Sequence, residues 1–179
     1  GLGMTPPQGA LSCLFTHVPT DAHLVILEFG STAAGLRHAA VEAIARALLS
    51  LPHRPALVFL SVREWCGSVH SGGAAKYDWR EGRGILFKAE QATPWSKAEA
   101  TFSRVADAYG LGVLSTWHAL YARAVADGGG RCPCGRRREV TLPYVPTDCL
   151  HPTTAALGAE SITQLLRHWL TTAAAATAA

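Results

Sequence analysis

The hydrophobic positions of the chain include two short uninterrupted runs that predict β-strands. The first, 24–30, reads Leu-Val-Ile-Leu-Glu-Phe-Gly, and the second, 56–62, reads Ala-Leu-Val-Phe-Leu-Ser-Val. Short runs of this kind, without alternation between apolar and polar residues, are typical of strands covered on both faces, as in a parallel sheet. A weaker third strand is predicted over 111–115.

The stretch between the two runs predicts an amphipathic helix over 35–50, where apolar side chains recur every four residues on one stripe. That stripe consists of Leu36, Ala40, Ile44 and Leu48. Glu42 and Arg46 lie off the stripe at a spacing of four residues, which predicts an ion pair between them.

Two more helices are predicted further along the chain. One runs from about Pro94 to Tyr109, because proline suits a first helical turn and Gly110 suits a C-terminal stop. Its predicted buried face is Trp95, Phe102, Val105 and Tyr109. The other begins after Pro152 and ends near Leu170. Its predicted core side is Ile162, Leu165, Leu166, Trp169 and Leu170.

Strands that alternate with helices predict an α/β fold with a parallel sheet. The 179 residues suit one domain, which we assign to 1–172. Two long loops, 64–92 and 127–147, interrupt it, and a low-complexity tail follows over 173–179. Loops of this length inside a compact domain are usually functional or disordered.

Composition narrows the function classes. The chain holds 16 basic and 13 acidic residues, for a formal net charge of +3. That balance is not typical of a protein that binds nucleic acid. The longest apolar runs are far shorter than the roughly 20 residues that a membrane-spanning helix needs, so no membrane span is predicted. Five cysteines cannot all pair within one chain.

Parallel sheets bind ligands at the carboxyl ends of their strands. This position selects three segments of the sequence as candidate binding loops: 30–32 after the first run, 63–65 after the second and 115–116 after the third.

The most specific local motif joins Asp148 to His151 three residues later, directly before Pro152 and a predicted helix. In such a turn the aspartate carboxylate can accept a hydrogen bond from the Nδ1–H of the imidazole. Nε2 would then be free to act as a general base. The alternative interpretation is that Asp148 caps the helix and His151 packs beside it.

The chain resembles the SGNH (GDSL-like) hydrolases, in particular a divergent algal or plant-like branch. The most specific residues are 148–152, Asp-Cys-Leu-His-Pro, which match the family's Asp-x-x-His block. Residues 23–29, 54–58 and 1–6 resemble other family blocks, and 157–170 resembles its closing helix. The resemblance implies a three-layer α/β/α sandwich of the flavodoxin-like SGNH type, lacking its first strand in this chain.

The resemblance further implies serine-esterase chemistry, with Asp148 as the orienting acid and His151 as the base. The expected substrate is a small acyl ester or an acylated glycan, and no cofactor is predicted. In the family, a Gly-Asp-Ser block supplies the nucleophile. We expect that block upstream of residue 1, and Ser31 is a weaker substitute.

The oxyanion site departs from the family pattern. The family's oxyanion asparagine would fall near Thr32, and its second-block glycine near Gly3.

Two other interpretations stay open at this stage. The chain can be a catalytically inactive relative or fragment that serves as an interaction module. Alternatively, a loop can bind zinc through four soft ligands within 20 residues. Those ligands would be Cys132, Cys134, Cys149 and His151. Zinc competes with the hydrolase interpretation, because a metal-bound His151 cannot act as a free base.

Overall fold

A computed structural model of the chain describes residues 6–29, 36–62, 66–67, 85–86, 94–128 and 156–177. Its helices are α1 (Pro7–Ser12), α2 (Leu14–His17), α3 (His38–Leu49), α4 (Pro94–Tyr109), α5 (Thr116–Gly128) and α6 (Ala156–Thr177). Its strands are β1 (Leu24–Glu28), β2 (Ala56–Ser61), β3 (Cys66–Gly67), β4 (Ile85–Leu86) and β5 (Gly112–Ser115).

The chain divides into two compact units. The first comprises Gly1–Arg63 and Ala92–Ser115, and the second comprises Glu64–Gln91 and Thr116–Ala179. The sheet with its flanking helices α1 to α4 belongs to the first unit. Helices α5 and α6 and the short antiparallel pair β3–β4 belong to the second.

The first unit is built on a parallel sheet with the strand order β1-β2-β5. Leu24 pairs with Ala56 and Val58 pairs with Gly112, and both ladders continue in parallel register. Helix α3 connects β1 to β2, and α4 precedes β5 along the chain, as parallel strands require a crossover connection. The predicted α/β fold with a parallel sheet is confirmed.

One face of this sheet carries the main hydrophobic core. Val25 and Leu27 of β1 lie level with Leu57 and Phe59 of β2, so these four side chains share a face. The helices contribute buried apolar residues to the same cluster: Val41, Ile44, Ala45 and Leu48 from α3, and Phe102, Val105 and Ala106 from α4.

The opposite face of the sheet is covered unequally. Val58 of β2 is completely buried, and Leu60 is nearly so at 7% exposure. Leu24 and Ile26 of β1 keep 36% and 41% of their surface exposed. The prediction that both runs are covered on both faces is therefore correct for β2 and wrong for β1. Among the described strands of this sheet, β1 lies at an edge, where neighbours on one side are missing.

Helix α4 has the predicted bounds and part of the predicted buried face, although Tyr109 is only half-buried and the side chain of Trp95 lies outside the described ones. Phe102 and Val105 are buried, and the helix ends at Tyr109 as expected. Gly110 has a φ of +67°, and the Leu111 N–H donates to the Ala106 carbonyl at 2.9 Å. This six-to-one hydrogen bond with a left-handed glycine is the Schellman arrangement that closes many helices.

Helix α3 lies within the predicted range, but its buried stripe differs from the predicted one. Val41 and Ala45 are buried, whereas Leu36 and Ala40 of the predicted stripe are only half-buried.

The contacts of Glu42 also differ from the prediction. The carboxylate of Glu42 accepts a hydrogen bond from the Tyr109 hydroxyl at 2.7 Å and lies 3.8 Å from Nε2 of His38. The predicted ion pair between Glu42 and Arg46 is wrong, because the Glu42 carboxylate contacts Tyr109 of α4 and His38 of α3 instead. The bond to Tyr109 ties α3 to α4.

The second unit differs most from the predicted elements. Helix α5 was not predicted, although Trp117 and Tyr121 have helical spacing and their rings contact at a centroid distance of 4.7 Å. Helix α6 extends to Thr177, past the predicted end near Leu170, because its alanine-rich end favours the helix. Leu170 itself is 43% exposed, so it does not belong to the core side as predicted.

Candidate functional site

The carboxyl edge of the parallel sheet is the part of the first unit where a ligand site is expected. Three polar residues end the described strands there: Glu28 on β1, Ser61 on β2 and Ser115 on β5. Each interrupts or ends an apolar strand, so local packing alone does not require them.

The strand register gives the relative heights of these polar side chains. Ser61 is the direct partner of Ser115, so both hydroxyls lie on the same face, the one that also carries Phe59. Glu28 pairs with Leu60 and therefore lies on the other face, one residue lower. Adjacent strands are about 4.8 Å apart, which brings the two serines within one strand spacing of each other.

The burial of each of these residues limits the chemistry that its side chain can perform. Ser61 is 0% exposed, so an ester cannot reach its hydroxyl and it is not a nucleophile in this conformation. Glu28 is half-buried and stands at the strand end, where an ionised carboxylate accepts hydrogen bonds only. Burial therefore removes Ser61 from the candidate nucleophiles at this edge.

The predicted site residues lie outside the described residues. They are Gly3, Ser31, Thr32, Asp148 and His151. The pairing of Asp148 with His151 therefore stays a prediction, as do the roles of the other three. The candidate loops 30–32 and 63–65 also lie outside, whereas Ser115 and Thr116 form the junction from β5 to α5.

The cysteines bear on the zinc interpretation. Cys132, Cys134 and Cys149 lie outside the described residues, as His151 does. Cys13 is half-buried, and its Sγ lies 3.6 Å from the carbonyl oxygen of Ala10. In the part of the chain that the structure describes, no group of three or more histidine, cysteine, aspartate or glutamate residues is arranged to hold a metal ion.

One described contact changes the acid–base behaviour of a side chain. The hydrogen bond that Glu42 accepts from the Tyr109 hydroxyl raises the pKa of Tyr109, because it favours the protonated phenol. Burial and the negative charge of Glu42 act in the same direction, and the positive charge of Arg46 opposes them. The contact spans two helices on the covered face of the sheet, so its role is structural.

The structure also brings together residues that sequence reasoning did not select. His23 and His53, 30 positions apart, have ring centroids 5.8 Å from each other. A signal was available, because each histidine stands just before a predicted strand, and parallel strands begin at the same edge of a sheet. Ser61 had a similar signal as the polar residue within an apolar run.

No described helix is both long and apolar enough to cross a membrane. No protein-family model matches the sequence, and a search of curated proteins also gives no match.

Solved structures do resemble the chain. A two-domain esterase active on acetylated mannans, co-crystallised with mannopentaose, superposes with a TM-score of 0.57 at 20% identity. A second structure of a two-domain esterase active on acetylated mannans gives a TM-score of 0.58 at the same identity. A protein from Lactobacillus plantarum gives a TM-score of 0.53 at 17% identity, covering 89% of this chain and 71% of that one.

The match covers most of this chain but only a part of each esterase. The likeness covers 94% of this chain but only 37% of the first esterase and 36% of the second. The chain thus spans little more than a third of the length of these esterases. At this identity the likeness establishes a shared fold: the chain has the α/β architecture that these esterases also contain.

Proposed function

We propose that this chain is part of a serine esterase that hydrolyses an acyl ester, with acetylated glycans as its substrate class. The observation that carries the proposal is the fold likeness to esterases active on acetylated mannans over 94% of the chain. The Asp148–His151 motif of the sequence supports it independently, because it supplies an acid–base pair of the kind that ester hydrolysis needs.

In the proposed mechanism, Asp148 accepts the Nδ1–H of His151 and holds the imidazole in the required tautomer. Nε2 of His151 then takes the proton of a serine hydroxyl as its oxygen attacks the ester carbonyl. The same nitrogen gives that proton to the departing alcohol, and an acyl-enzyme remains. Water, deprotonated by His151, then attacks the acyl carbon, and the protonated imidazole gives that proton to the serine oxygen as the carboxylic acid leaves.

The negative charge that develops on the carbonyl oxygen needs hydrogen-bond donors. We assign this role to the backbone N–H of Gly3 and to the Thr32 hydroxyl, with Ser31 adjacent. A threonine hydroxyl is shorter than the asparagine side chain that the SGNH resemblance implies at this position. Removal of one such donor typically lowers kcat about 10²–10³-fold, so Thr32→Val gives a clear test of this role.

The first experiment measures hydrolysis of a small acetyl ester by the full-length protein, since the SGNH resemblance puts the nucleophile in an N-terminal block. His151→Ala is expected to lower kcat/KM by at least about 10³-fold, and Asp148→Asn by about 10²–10⁴-fold. His168→Ala removes an exposed histidine of α6 and is the matched control. An unchanged rate in His151→Ala would show that His151 is not the base.

A second experiment tests the substrate class. Acetate release from an acetylated mannan is compared with release from the small acetyl ester, for the same protein preparation. Hydrolysis of both supports the proposal. Hydrolysis of the small ester alone would support the esterase chemistry but contradict acetylated glycans as the substrate class. Absence of both activities in a folded, full-length protein favours the non-catalytic relative.

A further inference from the structure

We propose that His23 and His53 form a two-histidine site for a divalent transition-metal ion of the Cu²⁺, Ni²⁺ or Zn²⁺ class. Their ring centroids are 5.8 Å apart and their ring planes are inclined by 59°. Both side chains are exposed, so a metal ion can reach them from solvent. The site is independent of the proposed esterase function.

The backbone holds both histidines at the amino-terminal edge of the sheet. His23 directly precedes β1, and its carbonyl accepts a hydrogen bond from the Ala56 N–H at 2.9 Å. His53 lies in the connection from α3 to β2, where the Arg54 N–H donates to the Leu51 carbonyl at 2.9 Å. Because both segments are tied to ordered elements, binding a metal costs little backbone ordering.

The ring separation is close to that of a chelating pair. Zinc binds histidine nitrogen at about 2.0–2.1 Å, which places each ring centroid roughly 3.2 Å from the metal. At a tetrahedral angle, the two centroids would then be about 5 Å apart. The observed 5.8 Å exceeds this by less than 1 Å. Small rotations of two exposed side chains close that difference.

The donor set selects the class of metal. Neutral imidazole suits Zn²⁺, Cu²⁺ and Ni²⁺, whereas Ca²⁺ and Mg²⁺ require oxygen ligands. Two protein ligands leave the remaining positions to water, so the site is open and its affinity is moderate. Among these metals, Cu²⁺ is expected to bind most tightly, following the general order of stability for nitrogen ligands.

A metal ion here would connect the start of β1 to the turn that leads into β2. It would therefore bind the folded state in preference to the unfolded chain and raise the Tm. The site lies at the opposite end of the strands from the carboxyl edge. A metal bound there is accordingly expected to raise Tm without changing any esterase rate.

The test is titration of the protein, prepared without a histidine tag, with Cu²⁺ and with Zn²⁺ by calorimetry. We expect one ion per chain at this site. His23→Ala and His53→Ala should each weaken binding by at least about tenfold, because either loss removes the chelate, and the double variant should lose binding at this site, because no imidazole remains. His168→Ala, which removes an exposed histidine of α6, should bind as the wild type does.

Electron paramagnetic resonance of the Cu²⁺ complex gives a second measurement that does not depend on stability. Two imidazole nitrogens are expected in the wild type and one in each single variant. The proposal is overturned if His23→Ala or His53→Ala retains wild-type affinity, if His168→Ala weakens binding equally, or if the spectrum shows fewer than two imidazoles. The retained far-UV circular dichroism of each variant establishes that it is folded.

Discussion

Strands β1 and β2 lie side by side with nearly the same apolar sequence, yet they differ in burial. On the face covered by α3 and α4, Val25 and Leu27 of β1 are buried just as Leu57 and Phe59 of β2 are. On the other face, Val58 is completely buried while its register partner Ile26 is 41% exposed. An apolar run therefore predicts a strand, but it does not show whether both faces of that strand are covered by other elements.

The largest effect is expected on the face that the two strands share. Phe59 is 0% exposed and stacks on Phe102 of α4 with ring centroids 5.1 Å apart. Phe59→Ala should lower the free energy of unfolding by about 3–5 kcal/mol, because it removes buried contacts and leaves a cavity. Urea denaturation followed by circular dichroism measures this change.

The matched control is Phe15→Ala, the same substitution at a side chain that is 55% exposed. It should cost no more than about 1 kcal/mol, since little buried surface is lost. Equal losses for the two variants would contradict the position of the core.

A smaller effect is expected on the face where the two strands differ. Val58→Ala should lower the free energy of unfolding by about 2 kcal/mol, from lost burial of two methyl groups plus a cavity. Ile26→Ala removes more carbon atoms but should cost only about 1 kcal/mol, because 41% of that residue's surface is already exposed and its truncation leaves no enclosed cavity.

Urea denaturation measures the free energy of unfolding of Val58→Ala and of Ile26→Ala, two variants at register partners. If Ile26→Ala proves as costly as Val58→Ala, the outer face of β1 is covered in solution. The difference between the two strands described above would then be lost.

The smallest effect concerns the helices that cover the shared face. Tyr109→Phe removes the hydroxyl that donates to Glu42 and should lower the Tm slightly at neutral pH. Because the pKa of Tyr109 is raised above its ordinary value of 10, the protonated phenol is favoured in the folded state. Its stabilising contribution is thus present below pH 10 and is lost as the pH rises through the raised pKa.

The measurement is the Tm difference between the wild type and Tyr109→Phe at pH 8 and at pH 11. The difference should shrink or reverse at the higher pH. A Glu42→Gln variant, which keeps an acceptor oxygen but removes the charge, is the control. A Tm difference that is independent of pH would show that the hydroxyl contributes nothing through this bond.

Local patterns in the sequence predict most of the first unit. The strands, α3 and α4 follow from apolar runs, periodicity and the Gly110 stop, all of which act over a few residues. The exposure of Ile26 and the partners of Glu42 were missed, because both depend on which distant element lies alongside. Helix α5 was missed although its Trp117–Tyr121 spacing is helical, since the one helix predicted after the third strand begins only after Pro152.

The candidate site was predictable only in part. The carboxyl edge follows from parallel topology alone, and Ser115 lies there as that argument requires. The contact between His23 and His53 follows from the parallel pairing of β1 and β2, since each histidine stands just before one of these strands, but periodicity within either strand alone does not show it. The roles proposed for Asp148 and His151 follow from a motif and from a resemblance, both of which are read from the sequence alone.

The most direct measurement of the central claim uses a fluorophosphonate probe, which forms a covalent bond with an activated serine. The account predicts that the full-length protein is labelled on one serine and that the labelling rate falls by at least about 10³-fold in His151→Ala. It also predicts an unchanged labelling rate in His168→Ala. Labelling that is absent from the folded protein, or equally fast in His151→Ala, would contradict a serine esterase that uses His151 as its base.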